Sequence, residues 1–200
     1  LITAGRGSMP SKLSAVKTKE RGEEILIELT YKGEKITTPF GKPVAAGKPY
    51  SFMFRDARVP VNWSLRWYAF DSIQNPVSDP SQLTLLEKTT AVQSESVNEI
   101  NYAWWGGIGK EKKYPRFLTI GEADIDLPKG KYIFSVSWDD AVRLYVDGNL
   151  VLDEWNPSKY VFDESPSRQV PVELSGKHHL RVEHVELGGF ATLAVKLKKE

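Results

Sequence analysis

Alternation of apolar and polar residues is the main pattern along the second half of the chain. Apolar or aromatic side chains occupy every even position from 132 to 138, in "KYIFSVSW". Successive side chains of a strand point to opposite faces, so this period of two predicts a strand with one buried face. Further segments of this kind follow at close spacing: "AVRLYV", "LVLDEW", "QVPVEL", "HLRVEHVEL" and "FATLAVKL". "DGN" at 147–149 predicts a tight hairpin turn between the first two.

The first part of the chain is less regular. Residues 1–22 show little periodicity and predict an irregular lead-in, whereas "EEILIELTYKG", "PYSFMFRD" and "NWSLRWYAFD" alternate as strands do. "LTLLEKTTAVQSES" fits either a short helix or a loop. No long helical period occurs, so the predicted fold class is all-β. We expect an antiparallel two-sheet β-sandwich, jelly-roll-like, over residues 60–200, preceded by a linker and small β segment over residues 1–59.

Composition excludes several classes of function. The formal net charge is +1, which argues against a general electrostatic role on nucleic acid, and no apolar run is long enough for membrane insertion. The chain has no cysteine, so it has neither disulfides nor thiolate metal sites. None of the common hydrolase, zinc-protease or phosphate-loop motifs is present, so we predict that the chain is not an enzyme.

Two adjacent carboxylates interrupt the strand pattern at Asp139 and Asp140. Neighbours on a strand point to opposite faces, so an acidic pair at the junction of two strands needs an explanation. The pair either supplies oxygen ligands to a cation, or caps a strand end with Asp139 bonded to backbone amides. The residues alone leave both interpretations open.

The segment "LPKGKYIFSVSWDDAVRLYVDGNLVLDEW" resembles the central hairpins of the protective-antigen-type β-sandwich. That family occurs in toxins, yeast adhesins and bacterial carbohydrate-active enzymes. The tail "LRVEHVELGGFATLAVKL" resembles its last hairpin, and "WSLRWYAFD" and "INYAWWGG" resemble its opening strands. The resemblance covers about residues 60–200.

The resemblance implies a calcium site. In the sugar-binding adhesins of this family, the Asp pair is joined by a cis peptide bond and holds a calcium ion, which here assigns Asp139 and Asp140. A loop near the last hairpin supplies further ligands, and in this chain it offers Glu186 and Leu187. Two departures favour a module without calcium. Ala141 stands where the family commonly has glycine, and Leu187 stands where an amide side chain would be useful.

Aromatic residues give candidate surfaces for stacking on sugars. Trp155 ends its predicted strand beside a loop that carries Asn156 and Tyr160, although a core position for this tryptophan is the competing interpretation. Trp104 and Trp105 are adjacent, so one should face inward and the other outward, where it covers a sheet edge or contacts a partner. His178 and His184 would lie about 20 Å apart on one straight strand, so they predict structural or solvent-facing roles rather than a shared zinc ion.

We therefore expect a non-catalytic carbohydrate-binding module of a secreted or cell-surface protein, with bacterial export and an accessory role in a larger carbohydrate-active enzyme. Its predicted partners are a glycan, a calcium ion and adjacent domains of a longer parent chain, with no nucleic acid. The alternative is a structural or assembly module that orients a neighbouring catalytic domain or protein partner without binding sugar.

Overall fold

The computed structural model describes residues 58–157 and 166–200 and, before residue 58, the backbone of five strands. The chain divides into two compact units, Leu1–Ala57 and Arg58–Glu200. In the first unit, β1 (Leu13–Arg21), β2 (Glu24–Tyr31) and β5 (Pro49–Arg55) form an antiparallel sheet in the order β1-β2-β5. Between the last two, β3 (Ile36–Thr37) pairs with β4 (Pro43–Val44).

The predicted irregular lead-in is wrong over the residues of β1, which pair with β2 from Leu13 to Arg21. β1 is an edge strand of its sheet. Edge strands often carry lysines and need little apolar alternation, so their pattern is weak in the sequence. The pairing with β2, rather than an apolar period of its own, makes this segment a strand.

The second unit contains nine strands within the described residues, in a single antiparallel sheet. One short helix, α1 (Ser81–Glu87), and a 3-10 turn, Lys110–Lys112, interrupt the strands. The ambiguous segment at 83–96 begins in α1 and ends in a strand, Gln93–Val97, which neither interpretation predicted. None of the described helices has the length and apolarity needed to cross a bilayer. The strands are β6 (Arg58–Val59), β7 (Trp63–Ala69), β8 (Gln93–Val97), β9 (Ile100–Trp105), β10 (Phe117–Asp139), β11 (Ala141–Val146), β12 (Asn149–Glu154), β13 (Ser167–Glu186) and β14 (Phe190–Lys199).

Two long strands, β10 and β13, run side by side through the whole sheet. The first half of β10 and the second half of β13 lie in a first layer, in the order β8-β7-β10-β13-β11-β12. The other halves lie in a second layer with β14, whose far edge pairs with β9 and β6. A register shift between Leu127 and Gly130 marks where β10 passes from one layer to the other. The predicted separate strands "QVPVEL" and "HLRVEHVEL" are thus one continuous strand.

The core lies between the layers. Buried side chains of both layers form one cluster, in which Trp67 and Phe117 of the first layer meet aromatic residues of β9. The buried members of largest volume are Trp63, Trp67, Trp138, Tyr132, Phe117 and Phe134. The alternation at 132–138 is therefore that of an all-β sandwich with one face in the core, as predicted.

The opposite face of the first layer is also partly buried. Leu86 of α1 packs against a second apolar cluster that includes Tyr68, Ile120 and Val185. We call this the helix-covered face.

At the far end of β11, Asp147 and Gly148 both have positive φ angles, 52° and 77°, which form the predicted hairpin turn.

Candidate functional site

The acidic pair lies at one end of the sandwich, where β10 stops and β11 begins. Asp139 is the last residue of β10, and the peptide bond that joins it to Asp140 is cis, as the resemblance implied. The Asp140 backbone N–H donates to the carbonyl of Val185 at 3.2 Å. The next residue, Ala141, is buried in strand β11 without a positive φ, so the fold does not need a glycine there.

The Asp140 carboxylate is half-buried and has one backbone partner. Its Oδ2 accepts a hydrogen bond of 2.7 Å from the Leu187 N–H. Burial raises the pKa of Asp140, and the bond from Leu187 partly opposes that rise. One oxygen of Asp140 is thus held by a backbone amide, the kind of contact that the strand-capping interpretation expected of Asp139.

Glu186 brings a third carboxylate to the same end. Its side chain is 1% exposed, and its Oε1 accepts a hydrogen bond of 2.8 Å from the Gly188 N–H. Its Oε2 is buried and has no hydrogen-bond partner within the described residues. Burial raises the pKa of Glu186 to about 8, and the negative charges of Asp140 and Asp139 add to the rise. The two aspartates therefore lie close enough to Glu186 to repel its charge in a partly dehydrated environment.

The buried side chain of His184 is hydrogen-bonded to the backbone of the acidic pair. The carbonyl oxygen of Asp139 can only accept, so the His184 Nε2–H donates to it at 2.7 Å. The Nδ1 of His184 then accepts from the Thr119 hydroxyl at 3.3 Å. Burial lowers the pKa of His184 to about 4, so the ring is neutral near pH 7 and suits these two bonds. His178 lies elsewhere, bonded at 2.7 Å to Asp147 of the hairpin turn, so the two histidines do not form a common site.

The loop over residues 187–189 closes the site and is fixed on both sides. Arg116 Nε donates to the Leu187 carbonyl at 3.0 Å, and the Gly106 N–H donates to the Gly189 carbonyl at 2.9 Å. Gly188 and Gly189 have φ angles of 122° and 118°, a conformation that glycine adopts without strain. The side chain of Leu187 packs on the helix-covered face, so only its backbone contacts the acidic pair.

The oxygen groups of this end suit a hard cation. Calcium prefers carboxylate and carbonyl oxygens and takes about six to eight of them. The unpartnered buried Oε2 of Glu186 is an observation that favours a bound positive charge. In the part of the chain that the structure describes, however, no three His, Cys, Asp or Glu side chains form a ready-made metal cage. An ion here would need the two aspartates, the charge of Glu186 and oxygens from outside this trio.

The prediction that Trp155 is a surface residue is wrong. Its side chain is 8% exposed and belongs to the helix-covered face. The Nε1–H donates to the Pro76 carbonyl at 3.1 Å, and the Arg143 guanidinium lies 4.5 Å from the ring centroid. Both contacts occupy surface that a sugar would need, so the core interpretation holds. Asn156 is exposed just beyond this residue, and Tyr160 lies outside the described residues.

Trp105 is the exposed aromatic residue that the sequence analysis did not select. Of the two adjacent tryptophans, Trp104 stacks on Tyr102 with a centroid distance of 4.8 Å, while Trp105 is 66% exposed. The inward and outward pair was predicted, but which member faced solvent was not. Pairing with β14 decides it, because Trp105 lies opposite Phe190 at the glycine loop.

A family model for the PA14 domain matches residues 76–199, more than half of the chain. The chain belongs to the PA14 domain family. The match includes the acidic pair, His184, Glu186, the glycine loop and Trp105. No curated protein sequence matches the chain.

Solved structures resemble this PA14 domain in fold. The PA14 sugar-binding domain of an RTX adhesin aligns with a TM-score of 0.55 and 19% identity, over 70% of this chain and 91% of that one. The Epa6A adhesin domain of Candida glabrata, in complex with Galβ1-3GlcNAc, aligns with a TM-score of 0.50 and 15% identity, over 71% of this chain and 81% of that one.

A catalytic protein also contains this fold. The β-glucosidase of Kluyveromyces marxianus, in complex with glucose, aligns with a TM-score of 0.51 and 17% identity. The alignment covers 69% of this chain but 16% of the β-glucosidase, so the PA14 fold makes up a small part of that enzyme. At these identities the likeness establishes the architecture, and function has to be argued from the site.

Proposed function

We propose that this PA14 domain binds carbohydrate without catalysing a reaction, as a module of a secreted or cell-surface protein. The observation that supports the proposal most is that Asp139, Asp140 and Glu186 lie at the same end of the sandwich. Burial and the charges of Asp140 and Asp139 raise the pKa of Glu186, and its buried Oε2 has no partner among the described residues. Such a cluster is stabilised by a cation, and an exposed cation can in turn bind a neutral ligand that is rich in hydroxyl groups.

Calcium is the proposed cation. Asp139 and Asp140 would hold it directly, with the negative charge of Glu186 beside them. When bound, the ion would bind two neighbouring hydroxyl groups of a sugar in place of water. The role of this chain's own residues is to hold the ligands in place. His184 fixes the Asp139 carbonyl, while Leu187 and Gly188 fix one oxygen each of Asp140 and Glu186.

The structural neighbours support carbohydrate as the ligand class. One is described as a sugar-binding domain of an adhesin, one is an adhesin domain in complex with a disaccharide, and one is a glycosidase in complex with glucose. A non-catalytic role beside a carbohydrate-active domain agrees with the small share of the glucosidase that this fold covers. Two of these neighbours are adhesin domains, and adhesion takes place at the cell surface, which supports export.

Calcium calorimetry tests the proposal. Wild-type protein, stripped with a chelator, is titrated with calcium chloride beside Asp140→Asn, which keeps the size of the side chain and removes its charge. We expect one site in the wild type and at least about tenfold weaker binding in the variant, since a charged ligand is lost. A glycan array with calcium or with chelator then measures calcium-dependent sugar binding.

The alternative is a structural module that orients a neighbouring domain without binding sugar. The side chain of Leu187 favours it, because this residue packs on the helix-covered face and gives the acidic pair no side-chain ligand. If the addition of calcium releases or absorbs no heat and the array shows no bound glycan, carbohydrate binding is contradicted and the structural role remains. If the wild type and Asp140→Asn bind calcium with equal heat and affinity, the ion binds at a place other than the acidic pair.

A further inference from the structure

The exposed indole of Trp105 and the acidic cluster lie on the same end of the sandwich. Trp105 is opposite Phe190 at the first residue of β14, and the Gly106 N–H donates to the Gly189 carbonyl at 2.9 Å. Gly189 and Gly188 therefore lead directly from the tryptophan to Glu186. The glycine loop is the floor that connects the two features.

Strand register gives their separation. Asp139 is paired with Thr192 of β14, and Thr192 is paired with Ala103 of β9. Asp139 and Ala103 are thus two strand spacings apart, about 10 Å across the layer. Trp105 lies two residues beyond Ala103 along β9, at about 3.3 Å per residue, so the backbone of Trp105 is more than about 10 Å from that of Asp139. This distance is too long for one sugar ring and is spanned by a short oligosaccharide.

The surface between them is open. A Cβ atom added at Gly188 or at Gly189 would meet no heavy atom of the described chain within 4 Å. No side chain rises from this floor, because both residues are glycines. A ligand held at the acidic pair would therefore meet no side chain of these two residues as it passes over the loop to the indole.

The indole is carried by rigid backbone. Trp105 ends β9 in register with β14, and the chain after it is closed by hydrogen bonds between Ile108 and Tyr114 of 3.0 and 3.1 Å. At Gly107 a Cβ atom would lie 2.3 Å from the Tyr114 carbonyl oxygen, so this turn is packed tightly. The ring of Phe190 lies 6.1 Å from that of Trp105 and supports it from one side. A binding residue on such a support loses little conformational entropy when a ligand arrives.

We propose that Trp105 is a second binding point for carbohydrate, where the indole stacks on a pyranose ring of an oligosaccharide whose neighbouring ring is held at the Asp139–Asp140 end. The inference rests on the proposed sugar binding at that end and adds a specificity to it. A monosaccharide reaches only the acidic end, whereas an oligosaccharide reaches both points. The domain accordingly prefers oligosaccharides, and the preference depends on the aromatic ring at position 105.

An array of mono- to tetrasaccharides, probed in millimolar calcium or in chelator, tests the inference with wild type, Trp105→Ala, Trp105→Phe and Asp140→Asn. The strongest oligosaccharide on the array and its terminal monosaccharide are then compared by calorimetry. We expect Trp105→Ala to bind the oligosaccharide about tenfold more weakly and the monosaccharide as the wild type does, because truncating a central tryptophan typically removes that much affinity. Trp105→Phe retains most of the oligosaccharide affinity.

Leu150→Ala is the matched control. It truncates an apolar side chain of β12 that is 46% exposed beside the hairpin turn, and it leaves both affinities unchanged. Equal oligosaccharide affinities of Trp105→Ala and wild type, with Asp140→Asn inactive, would overturn the role of Trp105 and keep the proposed function. Loss in Trp105→Ala with full binding by Asp140→Asn would support the stacking surface and contradict the acidic site. A wild type that binds no glycan would overturn both.

Discussion

Carboxylates gather at two places in the second unit, and their charges are balanced differently. On the helix-covered face, Arg181 forms salt bridges with Glu87, Glu122 and Glu183, and Arg66 pairs with Glu122 as well. At the loop end, the acidic groups that surround Glu186 are other acids, Asp140 and Asp139. The first group is complete within the protein, and its salt bridges hold α1 on the sheet. In the second group, burial and the neighbouring charges raise the pKa of Glu186, and the buried Oε2 of this residue has no hydrogen-bond partner among the described residues.

The tryptophans of the two regions differ in the same way. On the helix-covered face, Trp155 has its ring under a guanidinium and its N–H on a carbonyl. At the loop end, Trp105 exposes 66% of its surface. Residue types that occur in both regions thus serve packing in one and remain available for a ligand in the other. The presence of an acid or an aromatic residue does not by itself distinguish a binding site from the core. The presence or absence of hydrogen-bond and packing partners within the protein does.

Truncation of the two tryptophans should give the largest contrast. Trp155→Ala removes a buried aromatic side chain from the helix-covered face, and we expect it to lower the free energy of unfolding by about 3–5 kcal/mol. Trp105→Ala removes an exposed one and should change it by less than about 0.5 kcal/mol. Urea unfolding followed by circular dichroism measures both. Equal losses would mean that Trp105 is a packing residue.

Removal of the central cation of the helix-covered face comes next. Arg181→Met keeps the length of the side chain but leaves three carboxylates without their shared partner, and we expect a loss of about 2–4 kcal/mol. Lys196→Met is the control, because it breaks one exposed pair with Glu99 and should cost at most about 1 kcal/mol. If Arg181→Met unfolds at the wild-type urea concentration, the salt bridges do not hold α1 in place.

Neutralisation at the loop end should have the opposite sign. Without calcium, Glu186→Gln removes an acid whose pKa is raised by burial and by its acidic neighbours, so we expect a gain of about 1–2 kcal/mol near pH 8. In millimolar calcium, the rise in melting temperature should be smaller in the variant than in the wild type. Thermal unfolding with calcium and with chelator measures both quantities. A variant less stable than the wild type in chelator would show that Glu186 is not under electrostatic strain.

The last contrast is a change of stability with pH rather than a difference at one pH. The pKa of His184 is about 4 in the folded state and lies near its ordinary value of 6.5 in the unfolded chain. The unfolded chain therefore takes up the proton first, so this contribution to stability is complete above about pH 6.5 and is lost as the pH falls towards 4. Urea titrations across this range should give a shallower slope for His184→Gln than for the wild type. Parallel slopes would mean that His184 does not titrate in this way.

The sequence predicted the all-β sandwich because its strands have one buried face, which alternation reveals. It missed that β10 and β13 are continuous, since Pro128, Gly130 and Gly176 read as turns. In the structure, these residues lie where the long strands shift register and pass between layers. Glycine and proline mark bends as well as ends in strands, and only the pairing partner decides between them.

For the candidate site, the sequence pointed to the acidic pair and Glu186, and it selected Trp155, which is buried, rather than Trp105, which is exposed. Trp105 is the last residue of β9 and Trp155 directly follows the last residue of β12, and each stands next to a polar or glycine-rich loop, so their local sequences look alike. Their exposure depends on residues far away in the chain, namely Pro76 for the first and the glycines of the last hairpin for the second. The structural role of His184 was among those predicted, but its partner could not be, because Asp139 is 45 residues away.

The pairing of β6 with β14 has a further consequence. Val59 lies opposite Leu197, and Arg58 opposite Lys198, so the polypeptide enters and leaves this unit at neighbouring points on one edge. A domain whose two ends lie side by side can be inserted into a surface turn of another protein without separating the two strands that flank the turn. Genetic transplantation into unrelated scaffolds should thus be straightforward, with the glycine loop free to face outward.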